Sequence, residues 1–131
     1  MKNKRIVLIT VVVALAAGCS IEGKCGGRLA MAHRGGKSLA GENTLRAFEL
    51  AAFYDMDYVE CDPRMTKDGV FVLMHDETVD RTTDGSGYVA DLTLEQIREL
   101  ETDGGDLVPT LEEALDLAGS VGLGIYLDTK F

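Results

Sequence analysis

Short apolar runs alternate with polar turns along this chain, and the period of the pattern changes several times. Residues Arg28 to His33, RLAMAH, read as a first strand. Asn43 or Thr44 then caps a helix running to about Tyr54, with Leu45, Phe48 and Ala52 on one face. Asp57 to Asp62 reads as a second strand, stopped by Pro63. Lys67-Asp68-Gly69 is a turn, and Val70 to His75 is a third strand, so continuously apolar that both of its faces should be covered. A polar loop follows from Asp76 to Asp91. Thr93 with Gln96, and Thr110 with Glu113, form two capping-box patterns, each opening a short helix. The first has Leu94, Ile97 and Leu100 on its apolar face, the second Leu111, Ala114, Leu115 and Ala118. Ser120 to Gly124 reads as a loop and Gly124 to Lys130 as a last strand. Strands alternating with helices predict an α/β fold.

The N-terminus follows a different rule. Lys2, Lys4 and Arg5 precede an apolar run, Ile6 to Leu15, and the small residues Ala16-Ala17-Gly18. That run falls short of the ~20 apolar residues a membrane span needs, and the order is that of a secretory signal. Leu15-Ala16-Ala17-Gly18-Cys19 resembles the lipobox of bacterial lipoproteins, which implies cleavage after residue 18 and lipidation of Cys19. The expected division is therefore a signal at 1–18, a lipidated cysteine and Gly-rich tether at 19–27, and a domain at 28–131. Such a protein would be exported and held at a bacterial membrane through its lipid, in the cell envelope. An ordinary secretory signal with an incidental cysteine is the other reading.

The full sequence has 131 residues, enough for one modest domain, and a formal net charge of −9. Removing residues 1–18 takes away three positive charges and no negative one, so −9 becomes −12. A domain this acidic repels nucleic acid and anionic lipid surfaces, which argues against a nucleic-acid partner. Of the three cysteines, Cys25 and Cys61 remain after Cys19. Export permits a disulfide between them. The place of Cys61, mid-strand between two acidic residues, favours a buried free thiol.

Polar residues collect at strand C-terminal ends: His33-Arg34, Glu60 and Asp62, His75-Asp76, Asp128 and Lys130. In a (β/α)8 barrel, chemistry is placed at that end. Glu60 and Asp62 are two apart on a strand and share a face. Paired carboxylates suit a hard divalent cation, Mg²⁺ or Ca²⁺, although a solvent-facing strand with two acidic residues would look the same. Asp128 is a possible third ligand. His33 and His75, the chain's only histidines, both follow apolar runs and precede a charged residue. Either alone reads as structural; their shared placement favours acid/base chemistry. Arg34 offers a planar fork for phosphate oxygens.

His33-Arg34-Gly35, Glu42-Asn43-Thr44, Glu60-Cys61-Asp62, Thr66 to Gly69, His75-Asp76, Arg81 to Gly85 and Pro109 to Glu113 occur in order with short gaps. This ordered set closely resembles the glycerophosphodiester phosphodiesterase family, from about Arg28 to Lys130. The resemblance implies a TIM-type (β/α)8 barrel and hydrolysis of glycerophosphodiesters to glycerol 3-phosphate and an alcohol. It implies His33 and His75 as general acid and base, Glu60 and Asp62 as ligands of a divalent metal, and Arg34 and Lys130 as phosphate contacts. It also implies the substrate's own glycerol hydroxyl as nucleophile, through a cyclic phosphate. Most members carry Glu where this chain has Asp128. A barrel typically needs ~250 residues, so only about its first half is expected here, as a fragment rather than as two copies completing each other. The short link from Pro63 to Gly69 holds no crossover helix, and a tight hairpin would send His75 to the far end of the strands. The resemblance, not the spacing, puts His75 in the site.

Three other readings compete. A lysophospholipase D-like activity would use the same groups. A non-catalytic lipoprotein would carry them in a decayed site. An EF-hand-like calcium loop at Asp80 to Asp91 matches in part, with Asp at positions one and five and Gly at six, but Thr at three and Asp at twelve.

Overall fold

The computed structural model describes residues 29–129. The signal, Cys19, the tether with Cys25, Arg28 and Lys130 lie outside the described residues. Five strands and three α-helices follow in order. They are β1 (Met31–Ala32), α1 (Leu45–Phe53), β2 (Tyr58–Cys61), β3 (Pro63–Met65), β4 (Phe71–Leu73), α2 (Leu94–Arg98), α3 (Leu111–Val121) and β5 (Gly124–Leu127). Strands β1, β2 and β5 form a parallel sheet with β2 at its centre, in the register Ala32 to Val59 and Glu60 to Tyr126. Helices α1 and α3 connect and cover it, as parallel neighbours require. Phe48, Ala51, Ala114 and Ala118 pack with Val59, Cys61 and Ile125 into the main core. The sheet's other face carries Glu60 and leaves Met31 and Tyr126 more than half exposed. Among the described residues, no helix is long and apolar enough to cross a membrane.

The helix starts follow the sequence. The Thr44 hydroxyl accepts from the Ala47 N–H, and Thr93 and Thr110 each complete a capping box, with Gln96 and Glu113. Each box satisfies two N–H groups that the first turn leaves without helical partners. Gly122 closes α3 in the left-handed region, so α3 runs further than the expected loop from Ser120. The expected apolar faces form: Phe48, Ala114 and Ala118 are buried, and Leu45, Ala52 and Leu111 pack against the same core. Ala47, Phe48 and Ala51 are buried on α1, whereas Leu45 and Ala52 are only partly so. Leu115 of α3 is exposed.

The third strand is the main correction. β4 is not a parallel strand of the sheet. It pairs antiparallel with β3, Pro63 opposite Leu73 and Met65 opposite Phe71. Pro63 ends one strand and begins the next, a place where its missing N–H costs no ladder bond. β4 is covered on both faces, Leu73 packing in the main core and Val72 and Met74 in a second core, and only Phe71 at its start is exposed. The hairpin starts where β2 ends, runs beyond the sheet, turns at Gly69 and comes back, and the Met74 N–H donates to the Asp62 carbonyl at 2.8 Å. His75 thereby returns to the level of Asp62. A hairpin projecting past the strand end brings its last residue to the rim, not to the far end.

A second core, Val72, Met74, Val79, Val89, Ile97 and Val108, lies between the hairpin and α2. The Asp68 carboxylate at the hairpin turn accepts from the Leu94 N–H at 3.0 Å and joins the two. The segment from Asp80 to Asp91 belongs to this core through buried Val89, and no α-helix lies between β4 and it. It is not an EF-hand. The first strand is also shorter than expected: His33 to Gly35 form a 3₁₀ turn. The last strand ends at Leu127, with Asp128 just beyond it.

Candidate active site

Alternation along β2 decides what faces where. Val59 and Cys61 point into the helix-covered core, and Glu60 points to the opposite face with Asp62 two residues on. Burial, then the charges of Glu60 and Asp62, push the Cys61 thiol up to about 12. Cys61 forms no disulfide among the described residues and is fully buried, as its sequence context indicates. Beside β2, the Asp128 N–H donates to the Cys61 carbonyl at 2.9 Å, which sets Asp128 abreast of Asp62. One carboxylate oxygen each of Glu60, Asp62 and Asp128 lie within 4.8 Å of one another. The shorter Asp128 reaches the cluster.

An all-oxygen donor set fits a hard cation. Ca²⁺, bonding at about 2.3–2.6 Å, spans oxygens up to ~5 Å apart, and Mg²⁺, at about 2.0–2.1 Å, spans ~4.2 Å. Cys61 faces away, so no thiolate competes. Asn43 supports the set from outside. Its amide donates to Asp62 Oδ2 at 3.0 Å, and its Oδ1 accepts from the Asp62 N–H at 3.3 Å. Asn43 sits at φ 58°, a left-handed conformation that Asn tolerates better than most residues.

The turn after β1 supplies the next groups. Arg34, Gly35 and Gly36 have φ of 51°, 75° and 113°. This bend turns the Arg34 N–H onto Glu60 Oε2 at 2.7 Å. A Cβ at Gly35 would come within 2.6 Å of the Phe48 ring, so α1 packs directly on the glycine. His33 stands in the same turn, 56% exposed, with Nε2 3.7 Å from Glu60 Oε2. The Arg34 side chain reaches Glu42, its Nη1 3.1 Å from both carboxylate oxygens. Its Nε is buried with no hydrogen-bond partner among the described residues.

His75 enters from the hairpin. Its carbonyl accepts from Arg64 Nε and Nη2, at 3.1 and 2.8 Å, which fixes the backbone. Its Nδ1 lies 2.6 Å from Asp76 Oδ1. Arg81 joins the two halves of the rim: Nε donates to Asp76 Oδ2 at 2.5 Å, and Nη2 donates to Glu42 Oε1 at 2.6 Å. Hydrogen bonds from Arg81 and then His75 hold the Asp76 carboxyl well below the usual range. Burial alone would raise Glu42, but Arg81 and Arg34 outweigh it and lower that carboxyl too. His75, Glu42 and Asn43 line one narrow crevice.

Glu42 and Arg81 stood in the sequence only inside the ordered motifs, Asn43 otherwise only as a helix-cap candidate, a place Thr44 takes, and Asp76 otherwise only as a polar residue at a strand end. Arg81 lies in an aperiodic polar loop, so no spacing rule ties it to Glu42, 39 residues away. Lys130 lies outside the described residues.

Comparison with known proteins decides the family. A model of the glycerophosphoryl diester phosphodiesterase family matches residues 33–131. The chain belongs to this family. A glycerophosphodiester phosphodiesterase of Caldanaerobacter subterraneus subsp. tengcongensis is 41% identical over 109 residues, which cover 78% of this chain and 45% of that protein. Glycerophosphodiester phosphodiesterase 1 of Mus musculus is 47% identical over 110 residues, 77% of this chain and 33% of that protein. Two solved structures resemble the fold. A glycerophosphodiester phosphodiesterase from Agrobacterium tumefaciens gives a TM-score of 0.74 at 36% identity, over 79% of this chain and 47% of that one. An Oleispira antarctica phosphodiesterase, in complex with the product sn-glycerol-3-phosphate, gives 0.75 at 33%, over 79% and 44%. The chain spans less than half the length of these phosphodiesterases. Its sheet and helices are part of the family's TIM-type barrel, and the Glu60 face of the sheet is the barrel's interior face.

Proposed function

We propose that this chain carries the catalytic rim of a divalent-metal-dependent phosphodiesterase that hydrolyses glycerophosphodiesters to glycerol 3-phosphate and an alcohol. The observation that carries this reading is the convergence of Glu60, Asp62 and Asp128 within 4.8 Å, with His33 3.7 Å from Glu60. Bound there, Mg²⁺ or Ca²⁺ supplies positive charge to polarise a phosphoryl oxygen. One of His33 and His75 takes the proton from the attacking hydroxyl, and the other gives a proton to the leaving alcohol oxygen. The attacking hydroxyl is the substrate's own glycerol hydroxyl, which displaces the alcohol and leaves a cyclic phosphate that water then opens to glycerol 3-phosphate. Arg34 binds the phosphate through its planar guanidinium fork, of which Glu42 engages Nη1. Lys130 adds a second positive charge on the same anion. The name of the Oleispira protein's product, sn-glycerol-3-phosphate, supports the product assignment. Cys19 is the lipid anchor, and the mature protein faces the cell envelope from a bacterial membrane.

The test is release of glycerol 3-phosphate from glycerophosphocholine by residues 20–131, with Mg²⁺, with Ca²⁺ and with chelator, beside His33→Ala and His75→Ala. Metal-dependent release that either substitution abolishes supports the reading. A folded, metal-binding chain that leaves the diester intact places the reaction outside what these residues accomplish. For the anchor, incorporation of labelled fatty acid that Cys19→Ser abolishes is the expected result.

A further inference from the structure

Arg81 has a geometry that the proposed reaction does not itself demand. Its guanidinium bridges two carboxylates from distant parts of the chain, Asp76 next to His75 and Glu42 next to the Arg34 side chain. The bonds form one unbroken run, Arg34 to Glu42 to Arg81 to Asp76 to His75, with every link at 3.1 Å or less. The run has a direction. Asp76 receives the Arg81 Nε–H on Oδ2, and an ionised carboxylate only accepts, so the bond on Oδ1 requires His75 to donate Nδ1–H. Neutral imidazole carries one proton, so Nε2 is then the basic nitrogen. The Asp76 side chain is 31% exposed, and among the described residues Arg81 and His75 are the groups that bond its carboxylate.

We propose that Arg81 is a positioning residue: through Asp76 it fixes His75 as the Nδ1–H tautomer with Nε2 presented to the substrate, and through Glu42 it ties that ring to the Arg34 phosphate clamp. This rests on the assignment of His75 as acid or base. It adds that the imidazole from the hairpin and the guanidinium from the first turn are set as one unit. Arginine is required because its planar fork donates in two directions at once, whereas a lysine ammonium is a point charge on a flexible stem.

The chain has two histidines, so ring nitrogens labelled with ¹⁵N report on His75 with His33 as internal reference. The measurement uses the full chain at a pH where both rings are neutral. The wild-type His75 ring is expected to be Nδ1–H. Arg81→Gln is expected to move it toward the Nε2–H form that an unconstrained imidazole favours, with the His33 signals unchanged. Arg81→Lys, which keeps the charge, should restore the tautomer only in part. In the hydrolysis assay, Arg81→Gln should lower kcat by about 10–100-fold, within the ~10²–10⁴-fold a positioned acid or base supplies, with little change in KM. A His75 ring that stays Nδ1–H in folded Arg81→Gln, or in Arg81→Lys if the glutamine variant does not fold, overturns the proposal. A wild-type ring already in the Nε2–H form overturns it as well. The ring measurement needs no substrate, so a chain without hydrolytic activity sinks the functional reading and still decides the role of Arg81.

Discussion

Asn43 gives the sharpest test of how the carboxylate cluster is held. Asn43→Ala removes both bonds to Asp62, the amide donation to Oδ2 at 3.0 Å and the acceptance from the backbone N–H at 3.3 Å. Both residues are buried, so water does not replace those bonds freely. A bond to a charged group contributes about 1.5–3 kcal/mol and a neutral one about 0.5–1.5 kcal/mol. Alanine at φ 58° adds about 1–2 kcal/mol that Asn partly escapes by local hydrogen bonding. The expected loss of folding stability is about 3–5 kcal/mol on these terms. Asn43→Gly removes the backbone part and keeps the rest, so it isolates the hydrogen bonds. Groups that orient a metal ligand typically contribute 10–100-fold in metal affinity, and Asn43→Gly should weaken Ca²⁺ or Mg²⁺ binding by about that factor. Denaturant titration with and without metal reads both effects. At metal a hundredfold above Kd the wild type gains about 2.7 kcal/mol, and a hundredfold weaker variant gains about 0.4 kcal/mol. A folded Asn43→Gly chain with the full metal-dependent gain would refute the claim that Asn43 orients Asp62.

Three further perturbations address the scaffold. Gly35→Ala places a methyl within 2.6 Å of the Phe48 ring at φ 75°, and should cost about 2–4 kcal/mol by overpacking and backbone strain, read as a lower denaturation midpoint. Cys61, fully buried and with its thiol raised to about 12, should resist maleimide in the native state at neutral pH and react once the chain is unfolded; rapid native labelling would contradict its placement. Glu42 and Asp76 have lowered carboxyl pKa values in the fold, so their stabilisation is present above the ordinary carboxyl range and lost as pH falls below it. Stability should therefore drop on acidification below about pH 4, less steeply in Glu42→Gln/Asp76→Asn.

What was legible in the sequence followed how local the governing physics is. The capping boxes at Thr93 and Thr110 need only four residues, and both formed as written. The Glu60–Asp62 pair needs only the two-residue period of a strand, and it formed too. The apolar faces of α1 and α3 formed around Phe48, Ala114 and Ala118, whereas Leu115 is exposed and Ala47 and Ala51 are buried, because the three-dimensional packing widens or narrows a face that periodicity only centres. Asn43, Asp76 and Arg81 were opaque for a different reason. Asn43 lies 19 residues from Asp62 and Arg81 39 from Glu42, and no periodicity relates such distances; Asp76 adjoins His75, but its bond to Arg81 comes from an aperiodic loop.

The excursion of β3 and β4 explains why one histidine was easy to place and the other was not. His33 follows a parallel strand, so its position at the C-terminal end of the sheet is a consequence of chain direction alone. His75 follows a strand of opposite direction, and direction alone would take it away from that end. The conflict disappears because the antiparallel pair begins at the rim, at Pro63 opposite Leu73, and not along the body of β2. Paired residues of β3 and β4 share a face, Pro63 with Leu73 buried and Met65 with Phe71 exposed, and the chain returns to the rim beside its second core. His33, from the first turn, then stands 3.7 Å from Glu60, and His75, from the hairpin, lines a crevice with Asn43, the residue that bonds Asp62. That arrangement demands a tie between elements with no sheet contact of their own. The Glu42–Arg81–Asp76 bridge spans those elements, and with Arg34 on Glu42 the run carries two guanidinium groups against two carboxylates.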